Sequence, residues 1–109
     1  MGLTKSEIFS EQQNHIAKLA KVLGHPARIS ILQHIIDSKS CICGDLVDKI
    51  GLAQPTISQH LKELKNAGVI KGNVEGTSVC YCIDENNWKD MKQLLFSFLD
   101  QDLCSTSDC

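Results

Sequence analysis

The segment Gly51-Leu-Ala-Gln-Pro-Thr-Ile-Ser-Gln-His-Leu-Lys-Glu-Leu-Lys-Asn-Ala-Gly68 constrains the fold more than any other part of this chain. A glycine just past one helix and a proline at the first turn of the next is the asymmetry that joins two short helices through a tight turn. From Pro55 onward, Ile57, Leu61 and Leu64 recur at helical spacing and make one apolar stripe. Thr56, Ser58, Gln59, His60, Lys62 and Lys65 are assigned to the polar side of this helix. Short hydrogen-bonding and cationic side chains on the second helix of such a pair suit the base edges and phosphates of a DNA major groove. An ordinary amphipathic helix with a solvated face has the same pattern. The flanking segments therefore decide between the two.

Upstream, Ile8, Ile16, Leu19, Ala20 and Leu23 predict a helix over about Glu7 to Leu23. Gly24-His25-Pro26 interrupts it, and Pro26 opens a second helix from Ala27 to about Asp37. Ile29, Ile31, Leu32, Ile35 and Ile36 are apolar on so many sides of that helix that burial is expected. Leu46, Val47 and Ile50 mark the first helix of the helix-turn-helix, and Asn66-Ala67-Gly68 stops the second. Val69 to Val74 and Ser78 to Ile83 then read as two strands around Glu75-Gly76. In the second strand Val79, Tyr81 and Ile83 share one face, and Ser78, Cys80 and Cys82 share the other. A hairpin after a helix-turn-helix is a wing, whose tip near Gly76 and Thr77 would reach the DNA backbone or minor groove. A last helix from about Asn86 to Asp100 carries Trp88, Met91, Leu94, Leu95, Phe98 and Leu99 as core or dimer surface. The expected fold class is mainly α with a β-hairpin wing: a winged helix-turn-helix dimerising through its first and last helices. Residues 1–100 form the single domain, and residues 101–109 a flexible Cys-containing tail.

At 109 residues the chain supports one modest core, and it holds no apolar run near the roughly 20 residues of a membrane span. The polar start MGLTKSEIFSEQQ lacks an apolar leader segment, so a cytoplasmic location without a membrane partner is expected. The net charge of -2 hides an asymmetry. Residues 1–83 carry nine Lys/Arg against seven Asp/Glu, whereas residues 84–109 carry Lys89 and Lys92 against six acidic residues. The acidity sits in the last helix and tail, which leaves a DNA-binding face free on the first part. No Cys/His grouping suggests a nucleophile with its base, so an enzyme is not expected.

From Leu19 to Asp84 the pattern resembles the ArsR/SmtB family of winged-helix repressors. The resemblance rests on Leu23-Gly-His-Pro-Ala-Arg-Ile-Ser-Ile-Leu32, Gly44-Asp-Leu-Val47, Gln54-Pro-Thr-Ile-Ser-Gln-His-Leu61, Leu64-Lys-Asn-Ala-Gly68, and Gly76 followed by Tyr81. It implies a homodimer that binds double-stranded, palindromic operator DNA and is released by an inducer. Carried over, the DNA-binding set is Gln54, Thr56, Ser58, Gln59, His60, Lys62 and Lys65 of the recognition helix with Gly76 and Thr77 of the wing. His60 has an alternative, packing against the neighbouring helix.

The effector is expected among the six cysteines, which in a reducing compartment point to metal binding or thiol sensing rather than a disulfide framework. The family's thiolate site reads Cys-Val-Cys-Asp-Leu; this chain reads Cys41-Ile42-Cys43-Gly44-Asp45-Leu46, with the pair displaced by one residue. At a helix start, Cys41 and Cys43 would be activated thiolates. Cys104 and Cys109 on the tail would be able to add ligands. Three thiolates suit As(III) or Sb(III), and four suit Zn(II) or Cd(II). The expectation is a repressor released by a thiophilic metal or metalloid, arsenite first, with no cofactor required. A thiol redox or sulfide-responsive repressor and a ligand-independent DNA-binding protein are the alternatives. Cys80 and Cys82 are expected to be small strand residues more readily than ligands, and the last helix lacks the histidines of the family's interhelical zinc site.

Overall fold

The computed structural model describes residues 5–44, 46–75 and 78–104. The expected first helix is divided in two, α1 (Lys5–Ile8) and α2 (Glu11–Leu23). The divider is a capping box. The Ser10 hydroxyl accepts from the Gln13 backbone N–H at 3.0 Å, and the Gln13 side-chain oxygen accepts from the Ser10 N–H at 2.9 Å. Helix α3 spans Pro26–Ser38, with His25 as N-cap through a 3.1 Å bond from the Ala27 N–H to its Nδ1. Its core contribution is Ile31, Leu32 and Ile35, while Ile29 and Ile36 on its flanks are exposed, contrary to the expectation of burial on all sides.

The helix-turn-helix comprises α4 (Leu46–Ile50) and α5 (Gln54–Asn66). Gly51 sits between them at φ +85°, a left-handed conformation that costs glycine little and a side chain more. At the other end, Gly68 at φ +80° closes α5, with the Val69 N–H reaching back to the Leu64 carbonyl at 3.0 Å. A Cβ at position 68 would lie 2.9 Å from the Asn87 amide nitrogen, which donates to the Gly68 carbonyl. This glycine therefore also docks the last helix, α6 (Glu85–Leu99), whose N-cap is Asp84.

Strands β2 (Ile70–Glu75) and β3 (Ser78–Ile83) form the wing hairpin, in register from Ile70↔Ile83 to Glu75↔Ser78. A strand not anticipated from sequence, β1 (Ile42–Cys43), pairs antiparallel with the other edge of β3, giving the order β1-β3-β2. Ile42 and Ile70 are buried in the core with Ile31, Leu32, Ile35, Leu46, Ile57, Leu61, Leu64 and Val69; Tyr81 and Ile83 pack against it. Strand alternation turns Cys41, Cys43, Cys80 and Cys82 to the opposite face.

Candidate DNA interface and thiol site

Helix α5 buries Ile57, His60, Leu61 and Leu64, and exposes Gln54, Thr56, Ser58, Gln59, Lys62 and Lys65. Two polar pairs one turn apart hold part of this face in place. The Gln54 amide donates to the Ser58 hydroxyl at 3.0 Å, and the Gln59 amide donates to a Glu63 carboxylate oxygen at 3.1 Å. These partners are exposed, so their amides can exchange to base edges or phosphates. Ala53, the N-cap, supplies no side-chain bond to the first turn. A phosphate oxygen is the natural acceptor for such a helix start. Gly76 and Thr77, expected at the wing tip, lie outside the described residues.

His60 does not share the polar surface. It is 8% exposed, and its Nδ1 accepts from Arg28 Nε at 3.2 Å. Arg28 also donates through a terminal nitrogen to the Val22 carbonyl at 3.2 Å, tying the end of α2 to α3 and α5. The His25 ring lies 4.4 Å from the His60 ring. Burial, then the charges of His25 and Arg28, hold the His60 pKa below its ordinary value. A neutral imidazole is therefore the form that fits.

The cysteines are arranged differently from the sequence expectation. Cys43 lies in a strand and Cys41 directly before it, not at a helix start. The reason is local: Gly44 adopts φ +73°, so the chain turns before α4 begins at Leu46. A cysteine at position 44, where the family pattern places one, would be strained by that backbone. The displaced pair instead faces the wing. Cys43 pairs in register with Cys80, and two disulfides, Cys41–Cys82 and Cys43–Cys80, cross from β1 to β3 with Cα separations of 4.3 and 4.1 Å. Directly opposed residues on an antiparallel ladder approach to about 4.5 Å, which brings their sulfurs within bonding reach. The expectation of unpaired thiols is thus replaced by two cross-strand pairs.

Cys41 and Cys43 are exposed on the edge, whereas Cys80 is 2% and Cys82 7% exposed on the central strand. Cys104 is also disulfide-bonded, and the completed pairs exclude a bond from it to any of these four. Cys109 lies outside the described residues. Cys80 and Cys82, read from sequence as small strand residues, are the partners of Cys43 and Cys41 in the two cross-strand bridges. Their signal was the repetition of Cys-x-Cys, since two runs of period two are what facing strands require. Among the described residues, no group of three or more His, Cys, Asp or Glu is arranged to hold a metal ion.

A groove between β3 and α5 is lined by Gly44, Gln54, Ser58, Val79 and Tyr81. Strand β3 therefore carries the cysteines on one face and lines, with the other, a groove shared with the start of α5.

Comparison with known proteins agrees with this geometry. Residues 25–71 match the family described as bacterial regulatory protein, arsR family. The chain is 36% identical over 86 residues to an uncharacterized HTH-type transcriptional regulator of Methanocaldococcus jannaschii, covering 78% of this chain and 96% of that one. It is 39% identical over 70 residues to the HTH-type transcriptional repressor SmtB of Mycobacterium tuberculosis, covering 64% of this chain and 51% of the relative. Reduced HlyU from Vibrio cholerae superposes with a TM-score of 0.65 at 26% identity, over 84% of this chain and 95% of that structure. With its helix-turn-helix, its hairpin and the matched segment all in agreement, this chain belongs to the ArsR/SmtB family of helix-turn-helix transcriptional regulators, and not among enzymes.

Proposed function

We propose that the chain is a cytoplasmic, homodimeric repressor that binds operator DNA through α5 and the wing and is released by arsenite at Cys41, Cys43, Cys80 and Cys82. The observation that carries this reading is the projection of four sulfurs from one face of the β1–β3 pair. Thiolates approaching from one side suit a pyramidal trivalent ion, whose lone pair occupies the open side. Tetrahedral Zn(II) or Cd(II) asks for ligands on all sides. Sb(III) shares the pyramidal chemistry of As(III). Binding requires the reduced chain, and three thiols exchange for three hydroxyls: As(OH)3 + 3 Cys–SH gives As(S–Cys)3 + 3 H2O. The coupling to DNA would run across the groove that Val79 and Tyr81 of β3 share with Gln54 and Ser58 of α5.

Fluorescence anisotropy on DNA from the chain's own promoter region tests this. Arsenite is expected to release reduced wild type, and to leave the Cys41→Ser/Cys80→Ser variant bound. An equal response in both removes the site. A second reading is favoured by the pairing itself: oxidation of the reduced dithiols to the two disulfides would be the switch. In that case peroxide alone changes operator affinity and dithiothreitol reverses it, with arsenite inactive.

A further inference from the structure

The recognition helix is seated on the core by Ile57, Leu61 and Leu64, and apolar packing of this kind is not directional. The helix before it, α4, is five residues long, and Gly51 between the two sits at a left-handed φ. Ala53 adds no side-chain cap to the start of α5. A directional joint comes instead from α3. Arg28 Nε donates to His60 Nδ1, and a terminal nitrogen of the same guanidinium donates to the Val22 carbonyl, both at 3.2 Å. One planar fork thus joins the end of α2, the start of α3 and the middle of α5. A lysine does not copy it, because an ammonium is a point charge on a flexible stem.

Resting on the reading that α5 contacts operator DNA, we propose that Arg28 is a positioning residue for sequence recognition: through His60 it fixes the rotation of α5, and this joint holds only while His60 is neutral. With Nδ1 accepting from Arg28, the ring proton resides on Nε2. A second proton would occupy Nδ1, so two donors would face each other and a second positive charge would lie against the guanidinium. Burial opposes that charge as well. The titratable groups acting on the ring are His25, whose ring lies 4.4 Å away, and Arg28, both from the start of α3. Among the described residues α2, α4 and β2 bring none. His25 spends its own Nδ1 on the Ala27 N–H, so it does not replace the lost acceptor. Gln54, Thr56, Ser58, Gln59 and Lys62 lie on the exposed side of α5, so a helix free to turn about its axis moves all of them off the base edges together. Attraction to phosphates carries no sequence information and depends little on that rotation, so operator preference falls while general DNA affinity remains.

The test is fluorescence anisotropy of the full chain, kept in dithiothreitol, on its promoter DNA and on a scrambled duplex of the same length and composition. The quantity read is the ratio of the two affinities. At neutral pH, Arg28→Lys is expected to lower that ratio about tenfold, the worth of one good base contact, and to leave the affinity for scrambled DNA unchanged. His60→Gln is expected to keep the ratio, since an amide oxygen accepts from Arg28 without titrating. As pH falls from about 7.5 to about 5.5, the wild-type ratio is expected to drop about fivefold while that of His60→Gln stays flat. His25→Asn, whose side chain is able to cap α3, is expected to retain the acid loss. A ratio unchanged by Arg28→Lys, equal losses on both duplexes, or acid loss that persists in His60→Gln or disappears in His25→Asn overturns the proposal. Where Arg28→Lys does not fold, the pH comparison of wild type with His60→Gln decides alone. If Ser58→Ala/Gln59→Ala leaves the ratio unchanged, α5 does not read the operator and both readings fall. If that variant lowers the ratio and Arg28→Lys does not, the joint alone falls.

Discussion

His60 is the residue whose chemical type and position disagree most, and the disagreement has a measurable consequence. Its imidazole accepts from Arg28 and lies beside the His25 ring while almost wholly buried, so protonation would place a second positive charge against the Arg28 guanidinium. Burial is the leading cause of its lowered pKa, followed by His25 and then Arg28. As pH falls through the ordinary value of 6.5, the unfolded chain takes up this proton first, while the folded chain resists until lower pH. The contribution of neutral His60 is full above 6.5 and declines as pH drops below it. Urea unfolding midpoints of wild type are expected to fall more steeply between pH 6.5 and 5 than those of His60→Gln. Parallel slopes would show that the residue carries no linkage. The sequence reading grouped His60 with the polar, DNA-facing residues, whereas the structure buries it beside Ile57, Leu61 and Leu64. Its polarity concealed the fact, because a buried imidazole is legible only once its donor, Arg28, is seen across the helix interface.

At the scale of elements, the two faces of strand β3 differ in chemistry, with Cys80 and Cys82 bridged to β1 on one and Val79 and Tyr81 lining a groove beside α5 on the other. On the recognition helix, Ser58→Ala and Gln59→Ala are each expected to weaken operator binding by about 1–3 kcal/mol in gel-shift titrations. On the sheet, the first cross-strand disulfide closes a loop with a sequence separation of 41 or 37 residues, and the second adds little once its neighbour is fixed. Reduction is therefore expected to lower the unfolding free energy by about 2–4 kcal/mol, measured by urea titration with and without dithiothreitol. Identical curves would mean that the sheet holds without its bridges. Helices α3, α5 and α6 and the hairpin were legible because each repeats an apolar period and is bounded by proline, glycine or a cap. Strand β1 was not: two residues are too short to show a period, and its partner lies in β3, far along the chain. Only the Gly44 turn and the facing Cys-x-Cys pairs reveal it, and both are tertiary facts. The break at Ser10 was present in the Ser-x-x-Gln capping signature but was overridden by the apolar spacing around it.

The whole chain leaves unusually large apolar side chains uncovered near its ends. Ile8 is 61% and Phe9 51% exposed at the start, and Phe96, Phe98 and Leu99 are 64%, 50% and 72% exposed at the end of α6. Within one chain α6 meets α2, where Leu19, Leu23, Trp88, Met91 and Leu95 line a shared groove. The outer side of this helix pair has no covering element among the described residues, and a second copy offers the same surface by two-fold symmetry. Two recognition helices then address two half-sites about one DNA turn apart, which one helix of thirteen residues does not reach. Each buried phenylalanine contributes about 1.5–3 kcal/mol to such an interface. The Phe96→Glu/Phe98→Glu variant is accordingly expected to elute as a monomer in light-scattering chromatography at concentrations where wild type is dimeric. Its circular dichroism should stay native, because both side chains are exposed in the single chain. Operator affinity should fall with the loss of the second half-site, while release of the remaining weak complex by a thiophile should persist, since the four cysteines of the sheet lie within one protomer. A dimeric variant would move the interface to another face. A monomer that keeps full operator affinity would separate dimerisation from DNA reading.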